Sequence, residues 1–143
     1  MPDKEALLGN ARKRGVWKQL TILIEGTEEL TDWTWRVGKN ADHITYSERQ
    51  SGRRMVTYGE RGEGRPLDAD INQGGNQFGA AFGVTEDEVI ARLKTYLPHA
   101  CDAYETGYEN RKADYVAIRD EADAEQFLAF LRSFVDSRAK SSA

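Results

Sequence analysis

The stretch that most constrains this chain is HITYSERQSGRRMVTYGERGEG, residues 43–64. Ile44-Thr45-Tyr46-Ser47-Glu48-Arg49 is answered twelve positions later by Val56-Thr57-Tyr58-Gly59-Glu60-Arg61, and each copy meets a glycine three residues on. The period is too short for a helical solenoid and does not recur. Between the copies lies a turn signal, Gln50-Ser51-Gly52. A three-residue hairpin loop with Gly52 in the left-handed conformation sets Ile44 opposite Tyr58, Tyr46 opposite Val56, Glu48 opposite Arg54 and Arg49 opposite Arg53. One face then collects Ile44, Tyr46, Val56 and Tyr58, while the threonines take the wet side. A two-residue loop would set Tyr46 against Met55 and mix the faces. The duplication is therefore read as two arms of one hairpin, not as a doubled ligand site.

The flanking segments extend the pattern. Residues 3–14 predict a short amphipathic helix that ends in the basic cluster Arg12-Lys13-Arg14 and stops at Gly15. Val16–Glu25 is rich in β-branched residues and nearly continuously apolar in its middle, which predicts a central strand ending at Gly26. In Asp32–Val37, Trp33, Trp35 and Val37 alternate with Asp32, Thr34 and Arg36, which predicts another strand. Residues 59–83 hold seven glycines and no long apolar run, and so predict a long loop. Thr85 and Glu88 form a capping box opening a helix whose apolar face is Val89, Ile90, Leu93 and Leu97, broken at Pro98 and followed by a helical segment from about His99 to Arg111. Asp114–Arg119 predicts a short strand. Asp120 caps a last helix with Ala124, Phe127, Leu128, Leu131, Phe134 and Val135 along one stripe.

This order implies an α+β fold, a mainly antiparallel four- to five-stranded meander with helices on one face. The 143 residues suit a single domain: an N-terminal helix (1–15), a β-meander (16–59), a Gly-rich loop (60–84) and a helical part with one short strand (85–138). One cysteine, Cys101, excludes an internal disulfide framework. No apolar leader or membrane-length run is present, so a cytoplasmic protein with no membrane partner is expected. Residues 1–65 carry twelve Lys/Arg against ten Asp/Glu, and residues 66–143 carry eight against fourteen. So small a basic excess argues against nucleic acid as the first reading.

Several patterns bear on chemistry. Asp68-Ala69-Asp70-Ile71-Asn72 has the spacing that opens a Ca²⁺ loop, but Gln73 stands where that loop needs Gly and Gly79 where it needs Glu. Asp68 and Asp70 could still anchor a hydrated Mg²⁺; the reading preferred is a polar turn. Asn72-Gln73-Gly74-Gly75-Asn76-Gln77-Phe78-Gly79 lets backbone approach a ligand and offers amide donors and acceptors, but it is neither a Walker loop nor a dinucleotide fingerprint. Phe78 and Phe82 are placed to pin it to the core. His99 and Cys101 would point about 200° apart on a helix, which argues against a catalytic pair. One cysteine with His43 and His99 is too few for zinc. Arg49, Arg53, Arg54, Arg61 and Arg65 ring the hairpin, either as sheet-edge protection or as anion contacts. Tyr96, Tyr104 and Tyr108 recur at multiples of four, as a half-buried helix face does.

The reading carried forward is a small non-enzymatic binding domain that recognises a protein or small-molecule ligand through the Gly/Asn/Gln loop beside the Arg-bearing hairpin. Its contact residues are Arg53, Arg54, Tyr58, Arg61, Asn72, Gln73, Asn76, Gln77 and Phe78. No catalytic residue and no cofactor is assigned. One alternative is a metal-assisted phosphoryl hydrolase or nuclease using Asp68 and Asp70. Others are a nucleic-acid-binding module and a homodimer through a sheet edge or helix face.

Overall fold

A computed structural model describes residues 3–59, 67–71, 77–100 and 115–142, with the side chains of 115 and 136–142 left aside. Five helices and five strands run α1 (Lys4–Arg14), α2 (Trp17–Leu30), β1 (Thr34–Val37), β2 (His43–Ser47), β3 (Arg54–Gly59), β4 (Asp68–Ile71), α3 (Gln77–Phe82), α4 (Glu86–Tyr96), β5 (Tyr115–Ala117) and α5 (Glu121–Ser142). The strands form one antiparallel meander in chain order, β1-β2-β3-β4-β5. The architecture is the α+β one expected, but three of its elements differ from the sequence reading: α2, β4 and α3, the last a helix within the stretch read as a Gly-rich loop, where Phe78 packs inward.

The first difference is Val16–Glu25, which is not a strand. Gly15 ends α1 in the left-handed region, φ 79°, and α2 starts almost at once. Leu20, Leu23, Ile24 and Thr27 are its buried residues. They recur at three- and four-residue steps, the spacing of one helix face. The β-branched content suggested a strand, but burial of this stripe outweighs a propensity of a few tenths of a kcal/mol per residue, roughly. Gly26 lies inside α2, where a Cβ would collide with the side chain of Leu128 on α5. The glycine thus permits the close approach of these two helices, and does not mark a strand end.

The second difference is β4. Asp68–Ile71 is neither a polar turn nor part of a loop; all four residues are buried in a strand between β3 and β5. Ala69 and Ile71 face the helices and the two aspartates alternate onto the opposite side. Asp and Asn suggested a turn, whereas pairing with β3 and β5, with Ala69 and Ile71 alternating onto the core side, makes it a strand. The meander accordingly begins at residue 34, not 16.

The hairpin forms as read around its tyrosines: Ile44 pairs with Tyr58 and Tyr46 with Val56. Gly52 has φ 73° and donates its N–H to Glu48 O. Nearer the turn the register departs from expectation. A bulge makes Ser47, not Glu48, the partner of Arg54, and Glu48 N–H bonds Arg53 O at 2.8 Å. Arg49 therefore does not face Arg53. The extra residue, Met55, is buried.

On the helix side, both tyrosines of the duplicated motif reach α2. Tyr58 Oη and Thr27 Oγ1 are 2.7 Å apart, and Tyr46 Oη donates to Glu28 Oε2 at 2.7 Å. Burial raises both phenol pKa values, and Glu28 raises that of Tyr46 further. Tyr58 also meets Phe127 of α5 edge-on at 5.7 Å. Phe78 of α3 packs against Phe130 and Phe134. Thr85 caps α4 through Glu88 N–H, and Asp120 Oδ1 accepts from Asp123 N–H at 2.8 Å at the start of α5. The helix expected from about His99 to Arg111 falls, from 101 onward, outside the described residues, as does Cys101.

Candidate functional site

The face of the sheet turned away from these helices can be read from the register. One row across it runs Arg36 (β1), Thr45 (β2), Thr57 (β3), Asp70 (β4). A second runs His43, Gly59, Asp68, and a third Thr34, Ser47, Arg54. From β1 to β4 every side chain in these rows is polar or absent, and the rows end on β5, where Tyr115 pairs with Asp70 and Ala117 with Asp68. The character of the face changes along the first row, from a cation at the β1 edge, through two hydroxyls, to a carboxylate on β4. Exposure falls the same way: Arg36 is exposed, Thr45 and Thr57 half-buried, Asp70 buried.

The duplicated motif thus has two faces and two uses. Its tyrosines anchor the sheet to α2. Its threonines meet across the strands, with Thr45 Oγ1 and Thr57 Oγ1 3.0 Å apart. Gly59, where the second copy departs from Ser47 of the first, lies opposite His43. A Cβ there would strike His43 Cβ, its Cα and the Asp42 carbonyl. Gly38 likewise leaves room for the His43 ring. Asp42 Oδ1 hydrogen-bonds His43 Nδ1 at 2.7 Å, so the imidazole is both packed and oriented. The β1–β2 turn that carries Lys39 and His43 is tied to α1 by Asn10 Nδ2, which donates to Ala41 O at 3.0 Å.

At the β1–β2–β3 end the face is concave. A hollow of about 640 Å³ is lined by Arg36, Val37, Gly38, Lys39, His43, Thr45, Ser47 and Arg54. Among the described residues no carboxylate belongs to its wall. A second hollow, about 510 Å³, lies at the far end of the hairpin between Leu30, Trp33, Phe82 and Val135. Its cation, Arg49, already donates to Asp32 O at 3.1 Å.

Of the expected contact residues that are described, Arg54 alone lines the 640 Å³ hollow. Arg53 is exposed and lies 3.9 Å from Glu48. Tyr58 and Phe78 are fully buried, so they hold the core together and offer no contact surface. The sequence pattern of Phe78 and Phe82 is explained by pinning, as anticipated: their rings are 5.1 Å apart, with Phe134 beside both. Gln77 is half-buried at the start of α3. Arg61, Arg65, Asn72, Gln73 and Asn76 lie outside the described residues, as do Tyr104 and Tyr108. Asp68 and Asp70 share one face of β4, but among the described residues no three His, Cys, Asp or Glu side chains gather as a metal site. His99 is turned to other work, with Nε2 2.8 Å from Ala117 O and 3.7 Å from Asp123.

Arg36, Lys39, His43, Thr45 and Ser47 were not expected as one site. The alternation of Arg36 and the threonines to the wet side was visible in the sequence. Their convergence depends on the pairing of β1 with β2, which periodicity alone does not supply. Comparison with known proteins finds no matching family model, no matching curated protein and no matching solved structure.

Proposed function

We propose that this chain is a non-enzymatic binding domain, working in the cytoplasm, that takes its ligand on the open face of the sheet at the β1–β2–β3 end. The observation that carries this reading is the 640 Å³ hollow, whose polar wall among the described residues consists of guanidinium, ammonium, imidazole and hydroxyl groups with no acid. A volume of this size falls in the range of small-molecule sites, roughly 300–1,000 Å³. The Arg-bearing hairpin expected from sequence supplies one wall, through Arg54. The segments 60–66 and 72–76 flank β4 in the chain, and the Gly/Asn/Gln residues among them remain part of the proposed contact region. Among the described residues no helix is long and apolar enough to cross a membrane.

Titration of isotope-labelled protein with cell extract, split by size into small-molecule and macromolecular fractions, tests the reading. Amide shifts confined to the strands around Arg36, Thr45, Ser47 and Arg54 on adding the small-molecule fraction support it. Shifts confined to the helices, or to the second hollow around Trp33 and Phe82, overturn it.

A further inference from the structure

Three cations of the hollow have no neutralising partner among the described residues. Among the described residues the side chains of Arg36, Lys39 and Arg54 make no ion pair and no hydrogen bond, and all three residues are exposed. Some other cations are engaged, Lys4 2.6 Å from Glu28, Arg92 3.0 Å from Glu88 and Arg119 2.8 Å from Asp123, and others, such as Lys13, Lys18 and Arg132, are not among the described residues' ion pairs; what sets Arg36, Lys39 and Arg54 apart is that all three line one hollow. In a chain of net charge −4, three unneutralised cations around one concavity form a local field of opposite sign to the molecule. Arg36 and Arg54 stand on the two strands that flank β2, offset by two residues along them, so their Cα atoms are roughly 12 Å apart with Thr45 and Ser47 between them. Their planar guanidinium groups suit two-pronged capture of an oxyanion, and the hydroxyls can donate to a third oxygen.

The same face narrows the class of anion. The wall of the hollow holds no Phe, Tyr or Trp among the described residues, so a single-stranded nucleic acid would find there only the His43 ring, held by Asp42, on which to stack a base. A protein partner would need an apolar or aromatic anchor at the centre of its footprint. The large apolar side chain left to solvent, Trp35, is 43 % exposed and lies on the other side of the sheet, beneath Lys4 of α1. What remains is a compact, multiply charged molecule.

We propose that the open face binds a small soluble organic phosphate carrying at least two negative charges, held between Arg36 and Arg54 with Lys39 at the rim. This rests on the reading that the open face is the contact surface. The test uses the full chain at low ionic strength, with inorganic pyrophosphate as the probe and calorimetry and amide shifts as readouts. Citrate serves as a carboxylate of similar charge, and a short oligothymidylate as a nucleic acid. Pyrophosphate should bind saturably, shift the amides around Arg36, Thr45, Ser47 and Arg54, and weaken with added salt.

Arg36→Gln and Arg54→Gln should each weaken binding by about tenfold, as expected for loss of a charged hydrogen-bond pair. Arg132→Gln, on the exposed side of α5, should leave binding unchanged. Because Arg36 and Arg54 have no partners to lose, an unchanged melting temperature will show that the variants still fold. Binding that survives the double variant overturns the proposal, as does citrate or oligothymidylate binding more tightly than pyrophosphate. If the small-molecule extract shifts these amides and pyrophosphate at about 10 mM does not, the phosphate falls while the binding domain stands. If neither shifts them, both fall.

Discussion

Tyr46 and Tyr58 occupy matching places in the duplicated motif, yet their hydroxyls face different surroundings. Thr27 is fully buried, so Tyr58→Phe leaves its hydroxyl without this partner in the interior. Glu28 is exposed and keeps Lys4, so Tyr46→Phe strands nothing. Urea denaturation should show Tyr58→Phe costing about 1–2 kcal/mol and Tyr46→Phe less. Gly59 gives a sharper test. Gly59→Ser would make the second copy of the motif match the first, yet its side chain must displace His43 and the Asp42 carbonyl. The expected result is a loss of about 1–3 kcal/mol, the usual cost of overpacking, read from the same denaturation curves. The motif is repeated only as far as the space opposite each residue allows.

Leu23 and Glu25 would lie on one face of a strand, but they lie on opposite faces of α2. Leu23→Ala should cost about 2–5 kcal/mol, and Glu25→Ala no more than about 0.5 kcal/mol, by chemical denaturation. Similar losses at both positions would contradict the helix. The start of α5 carries its own pH dependence. Burial pushes the Asp123 carboxyl up. The Arg119 side chain and backbone N–H, with His99 nearby, outweigh burial and hold it below the usual carboxylate range. A carboxyl depressed in the folded state contributes stability above its unfolded pKa, near 4, and that contribution is lost as pH falls through the lower folded value. The Arg119 side chain is 61 % exposed, so the contribution is about 1 kcal/mol after solvent screening. Asp123→Asn should be less stable at neutral pH and should lose less than the parent on acidification below about pH 4, as followed by thermal melts.

Across the whole molecule, the helices bury one side of the meander and leave the other polar. The core side holds Ile44, Tyr46, Val56, Tyr58, Ala69, Ile71 and Val116, all fully buried. The other side holds the Arg36-to-Asp70 gradient. Unneutralised cations on such a face contribute little to folding, so Arg36→Gln and Arg54→Gln should change stability by no more than about 0.5 kcal/mol in denaturation. A large loss in either variant would mean that the arginines are structural and would remove the reason for treating the hollow as a ligand site.

How much of this was legible depends on the range of the interaction that decided it. The sequence by itself determined the hairpin's tyrosine register, the stop at Gly15, the caps at Thr85 and Asp120, and the apolar stripe of α5. Each follows from contacts within a few residues, or from a period shared by neighbours on one element. It also determined that β1, β2 and β3 pair antiparallel, because short turns leave these strands no other way to pair; β4 and β5, with α3 and α4 between them in the chain, do not follow from it. Tertiary structure decided the rest. Residues 17–30 became a helix because their stripe had α5 and the sheet to pack against, with Gly26 allowing the approach to Leu128. Asp68–Ile71 became a strand because β3 and β5 offered pairing on both edges. Arg36, Lys39 and Arg54 became one site because β1 and β3 flank β2. Packing partners and cross-strand neighbours lie far apart in the chain, so local propensity and spacing carry no record of them.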